Sequence, residues 1–253
     1  MKLGFMTWVC PTWDRERIAA FAAESPYDGV ELRVDSDQEH GVGADSSEED
    51  RTAVVALFDE YGVEIPALAT SQGLAIVDEE DRAAEIDRAK ANAVLAGDLG
   101  ADYLRIFAKG DQDEMNEAAA GAAAEAFTEL GEFAEDHGVR PTLETCHDIV
   151  QNVDDALAVA EQVETENFGL LWNRPEIEPN ELERIADQLY HVHLHEPALD
   201  PEDEGIPDMI DQLADIGYAG YLNLEIIRGE DLSEEELLEA GERLSGNIAA
   251  ATQ

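Results

Sequence analysis

The sequence has few basic residues, few cysteines and no long apolar run. Fifteen lysines and arginines stand against 60 acidic residues in a chain of 253, which gives a formal net charge of −45. Three of these basic residues are lysines: Lys2, Lys90 and Lys109. Because proteins neutralise the phosphate backbone with lysine and arginine, this composition argues against nucleic-acid binding. No stretch reaches the length of a membrane span, so we expect no membrane insertion.

The two cysteines, Cys10 and Cys146, are too few for a disulfide framework and fit a reducing compartment. The N-terminal residues lack the long apolar core of a signal peptide. Acidic residues are spread over the whole chain, and a surface this negative repels itself unless salt shortens the Debye length to about 3 Å near 1 M. We therefore expect a cytoplasmic protein from a salt-accumulating, halophilic organism. The alternative is an acidic protein from an ordinary cell.

Three of the six histidines, His191, His193 and His195, lie at alternate positions in one short apolar stretch. A strand sends alternate side chains to one face, so these imidazoles would project together. A buried imidazole needs a polar partner, and a row of them suits a metal or proton-transfer site. The alternative is one core histidine with two more at a solvated strand end.

Short apolar segments alternate with amphipathic segments eight times along the chain. The strands are predicted at residues 2–7, 29–33, 63–69, 103–107, 140–144, 168–172, 190–194 and 221–225. The helices between them include long ones at 78–99 and 113–137. Eight strand–helix units with short connections predict one α/β domain over residues 1–253, a single (β/α)8 TIM barrel. An open doubly wound sheet is the alternative, but no glycine-rich phosphate loop follows the first strand.

Active sites in such barrels lie at the C-terminal ends of the strands. The polar residues there are Glu31 and Arg33 on the second strand, Arg105 on the fourth, Glu144 on the fifth, Asn173 after the sixth, His193 on the seventh and Glu225 on the eighth. The last four form an oxygen-rich ligand set with one nitrogen. This mixture suits Mn²⁺, Mg²⁺ or Co²⁺ better than a structural zinc ion.

The sequence resembles the xylose-isomerase-like barrel superfamily of sugar isomerases and epimerases over its whole length. The segments that carry the resemblance are Gly29-Val30-Glu31-Leu32-Arg33, Leu104-Arg105-Ile106-Phe107, Leu143-Glu144, His191-Val192-His193 and Leu224-Glu225. In that family a glutamate ending strand five, an aspartate after strand six, a histidine on strand seven and a glutamate ending strand eight bind one divalent metal. The resemblance therefore implies Glu144, His193 and Glu225 as ligands.

The chain departs from the family pattern after the sixth strand. The usual Asp-x-x-His is here Asn173-Arg174-Pro175-Glu176. Asn173 still offers a carbonyl oxygen but no charge, and Glu176 replaces a histidine that usually touches substrate. Three outcomes stay open: weaker metal binding, a carboxylate ligand supplied by Glu176, or a drift to other chemistry.

The resemblance implies a metal-dependent isomerase or epimerase of a sugar or sugar phosphate. A metal would chelate a carbonyl and the adjacent hydroxyl oxygen and acidify the C–H between them. Glu144 and Glu225 would be the acid–base pair, one removing the proton to give an enediolate and the other returning it. Singly, each glutamate could instead be a salt-bridge partner of Arg105 or Arg174. The expected cofactor is one divalent ion (Mn²⁺, Mg²⁺ or Co²⁺, with Zn²⁺ as a further option).

Several other residues are candidates for substrate contact or support. The predicted substrate contacts are Arg105, Lys109, His147, Glu176 and His195. Lys109 would contact an anionic group, whereas plain surface positions are the alternative for His147 and His195. His191 lies one layer deeper along its strand, so we predict a supporting or core role.

Three other functional classes are alternatives, of which a lyase fits the sequence nearly as well. A lyase that dehydrates a keto-inositol type of substrate would use the same intermediate. A non-catalytic binding barrel is compatible with the departures at Asn173 and Glu176. An abasic-site endonuclease shares the barrel but needs more metal-binding histidines and a basic surface. The expected partner is a small carbohydrate, and the oligomeric state stays open, with a homo-oligomer compatible.

Overall fold

The computed structural model describes residues 1–174 and 178–252, in which eight parallel strands form a closed barrel. The strands are β1 (Lys2–Met6), β2 (Gly29–Arg33), β3 (Ala67–Ala75), β4 (Tyr103–Gly110), β5 (Arg140–Glu144), β6 (Gly169–Trp172), β7 (Leu189–Leu194) and β8 (Tyr221–Leu224). Each strand pairs with the next, and pairing of β1 with β8 closes the barrel. The prediction of a (β/α)8 barrel is confirmed.

A helix follows each strand along the chain. The helices are α1 (Arg15–Ala23), α2 (Glu48–Tyr61), α3 (Glu79–Leu99), α4 (Glu117–Glu135), α5 (Val153–Ala160), α6 (Pro179–Ile185), α7 (Gly205–Asp215) and α8 (Glu234–Ala251). Their ends follow the expected signals. The Asp14 side chain accepts from the N–H of Arg17 at the start of α1, and Gly62 ends α2 with a left-handed φ of 69°. Within the described residues, no helix combines the length and the apolar character needed to cross a bilayer.

The third strand and the fourth helix differ from the sequence prediction. Pro66 has no N–H to donate to a ladder, so β3 begins at Ala67 rather than at residue 63. The strand then continues past residue 69 beside β4 through two register irregularities. Helix α4 begins at Glu117 rather than at residue 113, because the Asn116 side chain accepts from the two N–H groups of Ala118 and Ala119.

Helices cover the outside of the barrel, so the strands are almost entirely buried on both faces. Several polar side chains are nevertheless 3 % exposed or less: Glu31, Arg105, Glu144, His191, His193, Asn223 and Glu225. Burying ionisable groups costs free energy unless they are paired with one another or with a metal. The interior of the barrel therefore contains a group of charges that calls for a physical explanation.

Candidate metal centre

Three of the predicted metal ligands meet inside the barrel. Glu144 is the last residue of β5, His193 lies on β7, and Glu225 directly follows β8. The N–H of Glu225 donates to the Leu194 carbonyl at 2.8 Å, which continues the β7–β8 pairing and fixes the position of Glu225. One ligand atom from each of Glu144, His193 and Glu225 lies within 4.8 Å of the others. We call these three residues the ligand cluster.

The ligand cluster combines two carboxylates with one imidazole, and each member is paired to a charged neighbour. His193 Nδ1 lies 3.0 Å from Glu225 Oε2. Glu144 Oε2 lies 2.9 Å from Nε of the Arg105 guanidinium. Arg105 is itself held by a hydrogen bond from Nη1 to the Thr70 carbonyl at 2.8 Å. The salt-bridge alternative thus describes Glu144 correctly, although it does not explain why the three ligand atoms converge.

Two atoms of the cluster indicate that it fits a cation. Glu144 Oε2 and His193 Nδ1 are buried and make ion-pair contacts, but neither has a hydrogen-bond partner among the described residues. Buried polar atoms that lack a hydrogen bond cost free energy, and a bound cation would satisfy them. Two carboxylates and one imidazole nitrogen are a donor set that Mn²⁺, Co²⁺, Mg²⁺ or Zn²⁺ accepts.

The electrostatics of the cluster also favour positive charge. Burial raises the pKa of Glu144 and outweighs the attraction of Arg105, which lowers it. Burial is the largest single influence on Glu225 and acts to raise its pKa, but His193, Arg105 and His195 together hold that pKa below its ordinary value. Burial acts to lower the pKa of His193, whereas Glu31 and Glu225 raise it to about 10. A proton on His193 is therefore a cation held between two carboxylates.

Asn173 lies beside the ligand cluster with its amide group engaged on both sides. Its Nδ2 donates to Glu144 Oε1, and its Oδ1 accepts from His195 Nε2 at 2.7 Å. The orientation of the amide follows from these two partners. The Asn173 oxygen faces His195. Asn173 therefore contacts Glu144 of the cluster through its nitrogen, and its oxygen does not point towards His193 or Glu225.

The remaining predicted residues lie at different depths around the mouth of the barrel. Arg105 is buried against Glu144, and its guanidinium lies 4.1 Å from the centre of the Phe107 ring. The His147 side chain is 47 % exposed and packs on the same ring at 4.6 Å. Lys109 is exposed and lines a cavity of about 400 Å³ whose walls contain no member of the ligand cluster. Glu176 lies outside the described residues.

Arg174 does not pair with either glutamate of the cluster, because its Nη2 lies 3.1 Å from Glu181 Oε2. His195 is half-buried, and burial lowers its pKa. A neutral His195 is consistent with donation of a single ring N–H to Asn173. Of the predicted substrate contacts, Arg105 and His195 are thus the two that reach the cluster or its direct neighbour.

Sequence reasoning gave Glu31 no role, although the structure places it at the centre of the barrel. Glu31 Oε2 lies 2.9 Å from His191 Nε2 and 3.0 Å from His193 Nε2. His191 is fully buried, as its predicted supporting position implied. In the sequence, Glu31 is the single acidic residue of β2 and lies between the apolar residues Val30 and Leu32.

Comparison with known proteins gives one family and several similar folds. The model of the xylose isomerase-like TIM barrel family matches residues 19–244. No curated protein matches the chain by sequence. A zinc-bound IolI protein is similar at 20% identity and a TM-score of 0.81, with 99% of each chain covered. An L-ribulose 3-epimerase is similar at 17% identity and a TM-score of 0.80, with 99% of this chain and 95% of that chain covered.

A third similar structure is the 3-keto-D-glucoside 4-epimerase from E. coli. Its identity to this chain is 14% and the TM-score is 0.75, with 99% of this chain and 98% of that chain covered. At these identities the likeness establishes the fold and its arrangement of strands.

Proposed function

Because the chain belongs to the xylose isomerase-like TIM barrel family, we propose that it is a metal-dependent isomerase or epimerase of a sugar or sugar phosphate. The observation that carries this proposal is the convergence of Glu144, His193 and Glu225, with ligand atoms within 4.8 Å of one another. These residues come from three different strands and lie where active sites of such barrels are found.

We propose that one divalent ion, Mn²⁺, Mg²⁺ or Co²⁺ with Zn²⁺ as an alternative, is held by the two carboxylates and by His193 Nδ1. Such an ion, when bound, stabilises negative charge on a substrate oxygen and so acidifies the neighbouring C–H group. Asn173 and Glu176 were further ligand candidates. The Asn173 contacts with Glu144 and His195 favour a role in holding these two side chains.

Glu144 and Glu225 are proposed to move the substrate proton. They come from β5 and β8, which are separated around the barrel by β6 and β7. One carboxylate therefore removes a proton from carbon on one side and leaves an enediolate, and the other returns a proton on the opposite side. Arg105 keeps the Glu144 carboxylate oriented through its 2.9 Å contact. His195, joined to the site through Asn173, is the proposed contact for a substrate hydroxyl.

The similar structures support a ketose as the substrate class. Two of them are named as an L-ribulose 3-epimerase and a 3-keto-D-glucoside 4-epimerase. Both names describe inversion at a carbon that can be acidified by a neighbouring carbonyl. We therefore propose a ketose or keto-sugar for this chain, and the exposed Lys109 is a candidate contact for a phosphate on that sugar.

The test is a panel of ketoses and their phosphates, incubated with metal-loaded protein in D₂O at molar KCl. We expect turnover with deuterium incorporated from solvent at the inverted or isomerised carbon. Glu144→Gln and Glu225→Gln keep the size of each side chain but remove the basic carboxylate, so each variant should lose ~10²–10⁴-fold in rate. Turnover that retains the original hydrogen would exclude the enediolate route. Full activity in either variant would exclude the acid–base pair, and no exchange with any sugar would favour a non-catalytic barrel.

A further inference from the structure

Three nitrogen atoms from β7 and β8 surround one carboxylate oxygen of Glu31. Glu31 Oε2 lies 2.9 Å from His191 Nε2, 3.0 Å from His193 Nε2 and 2.7 Å from Asn223 Nδ2. The strand β2 carries Glu31, whereas β7 and β8 carry its partners. All four side chains are 0% exposed, so water does not compete for these contacts.

Strand β1 lies between β2 and β8 and leaves room for this contact. Gly4 pairs with Gly29 on β2 and with Asn223 on β8. A Cβ atom at position 4 would overlap Asn223 Oδ1, so a larger residue would displace the amide. The absence of a side chain at Gly4 therefore lets the Asn223 amide occupy the position from which it contacts Glu31.

The contacts of Glu31 determine which nitrogen of His193 is available for a metal. An ionised carboxylate accepts hydrogen bonds and has no hydrogen to donate, so His193 must carry its hydrogen on Nε2. Its other ring nitrogen, Nδ1, then faces Glu225 Oε2 at 3.0 Å, inside the ligand cluster. Geometry supports the ionised form, because three nitrogen atoms lie within 3.0 Å of Oε2, as expected around an oxygen that accepts hydrogen bonds.

We propose that Glu31 is a positioning residue for the metal centre. It accepts the Nε2–H of His193 and so fixes both the tautomer and the ring orientation that present Nδ1 to the ion. This inference rests on the proposed function, because it concerns the ion that the ligand cluster would hold. In metal sites generally, replacing a carboxylate that orients a ligating histidine weakens metal binding by about 10–100-fold.

A second ion between Glu31, His191 and His193 is the rival interpretation, because their ligand atoms also lie within 4.8 Å of one another. The position of Asn223 argues against it. Asn223 Nδ2 lies 2.7 Å from Glu31 Oε2 and 2.9 Å from His191 Nε2. An amide N–H among these atoms repels a cation, whereas it completes a hydrogen-bonded support. We therefore expect one ion per chain.

The first test measures the affinity of the metal-free protein for Mn²⁺ and Co²⁺ by calorimetry. Glu31→Gln keeps the size of the side chain but cannot accept from three donors through one charged oxygen, so the dissociation constant should rise about 10–100-fold. Tyr218→Phe is the control, since the Tyr218 hydroxyl donates to the carbonyl of Tyr221 at 2.8 Å and touches no member of the ligand cluster. This control should bind the ion as tightly as the wild type.

The second test does not require the variant to fold. In the Co²⁺-loaded wild type, the Nε2–H of a histidine bound through Nδ1 gives a hyperfine-shifted proton resonance. Because that proton is buried and donated to Glu31, the resonance should persist for a long time after transfer to D₂O. In a folded Glu31→Gln variant it should shift or exchange faster.

The outcomes separate this inference from the function on which it rests. If the wild type and a folded Glu31→Gln variant bind the ion within twofold of each other, the role of Glu31 is wrong while the metal site stands. Absence of a protected, shifted N–H resonance in the loaded wild type also overturns it. Two ions per chain would replace it with a second site. If the wild type binds no divalent ion, the metal centre and the role of Glu31 fail together.

Discussion

Removing His193 should abolish most of the stability that a divalent ion gives to the folded protein. An ion that binds the folded state alone stabilises it by about 4 kcal/mol when its concentration is about 1,000 times the dissociation constant. For a chain of this length each kcal/mol raises Tm by roughly 2–4 °C, so the wild type should gain roughly 8–16 °C. His193 supplies the one nitrogen ligand among the three residues of the ligand cluster.

The His193→Ala variant leaves two carboxylates to hold the ion. Loss of a direct ligand should cost no less than the ~100-fold upper range for a residue that merely orients one. At the same ion concentration the stabilisation then falls to about 1.4 kcal/mol or less, which is roughly 3–6 °C in Tm. The variant should also be less stable without metal, because Glu31 and Glu225 lose the cation between them.

Thermal unfolding with and without Mn²⁺ in molar KCl measures both the ion-dependent rise in Tm and the stability of the metal-free protein. His147→Ala is a matched control, because this histidine is 47 % exposed and lies outside the ligand cluster. The control should keep the full ion-dependent rise in Tm. The same rise in Tm for His193→Ala as for the wild type would refute the assignment of the metal to this cluster. Equal metal content of the two proteins in elemental analysis would refute it as well.

Three further outcomes follow from the structure. Asn173→Asp should bind the divalent ion more tightly, because it adds a charged oxygen beside Glu144; calorimetry measures this, and weaker binding would contradict it. The variant should also be less stable in thermal unfolding without metal, because the N–H donated to Glu144 is lost. Burial lowers the pKa of His40 from 6.5 to about 4, so the unfolded chain takes up this proton first and stability is lost as pH falls from 6.5 to 4. Over that range the wild type should lose about 3 kcal/mol more than His40→Gln in urea unfolding, and parallel curves would contradict this. Because the net charge is −45, Tm should rise steeply from dilute buffer to molar KCl, and a constant Tm would remove the argument for salt adaptation.

The barrel could be predicted from the sequence because its signals are local. Alternation of apolar strands with capped helices needs no knowledge of which strands touch. The rule for strand ends then gives Glu144, Asn173, His193 and Glu225 as a ligand set, and the family resemblance narrows this set to Glu144, His193 and Glu225. The start of β3 was wrong, since Pro66 interrupts the hydrogen-bond ladder inside an apolar run that otherwise looks like a strand. Such an error changes the boundary of an element but leaves the strand order intact.

The contacts of Glu31 and Asn173 could not be predicted, because they depend on how side chains meet across the barrel. Glu31 and His191 are 160 residues apart in the chain, and their contact needs the strand register and the small residue at position 4. The sequence likewise shows that Asn173 follows β6 but not which partner takes its oxygen. His195 takes it, two residues beyond the histidine of the ligand cluster.

The charges of the site explain why an uncharged residue at position 173 suits a metal centre here. Glu31, Glu144 and Glu225 bring three carboxyl groups into an interior where Arg105 pairs with Glu144 and the histidines lie beside Glu31 and Glu225. A fourth carboxylate would add negative charge to this buried site, which attracts a cation more strongly but weakens the fold without it. Asn173 instead donates a hydrogen bond to Glu144, so the site gains orientation at that ligand without adding charge.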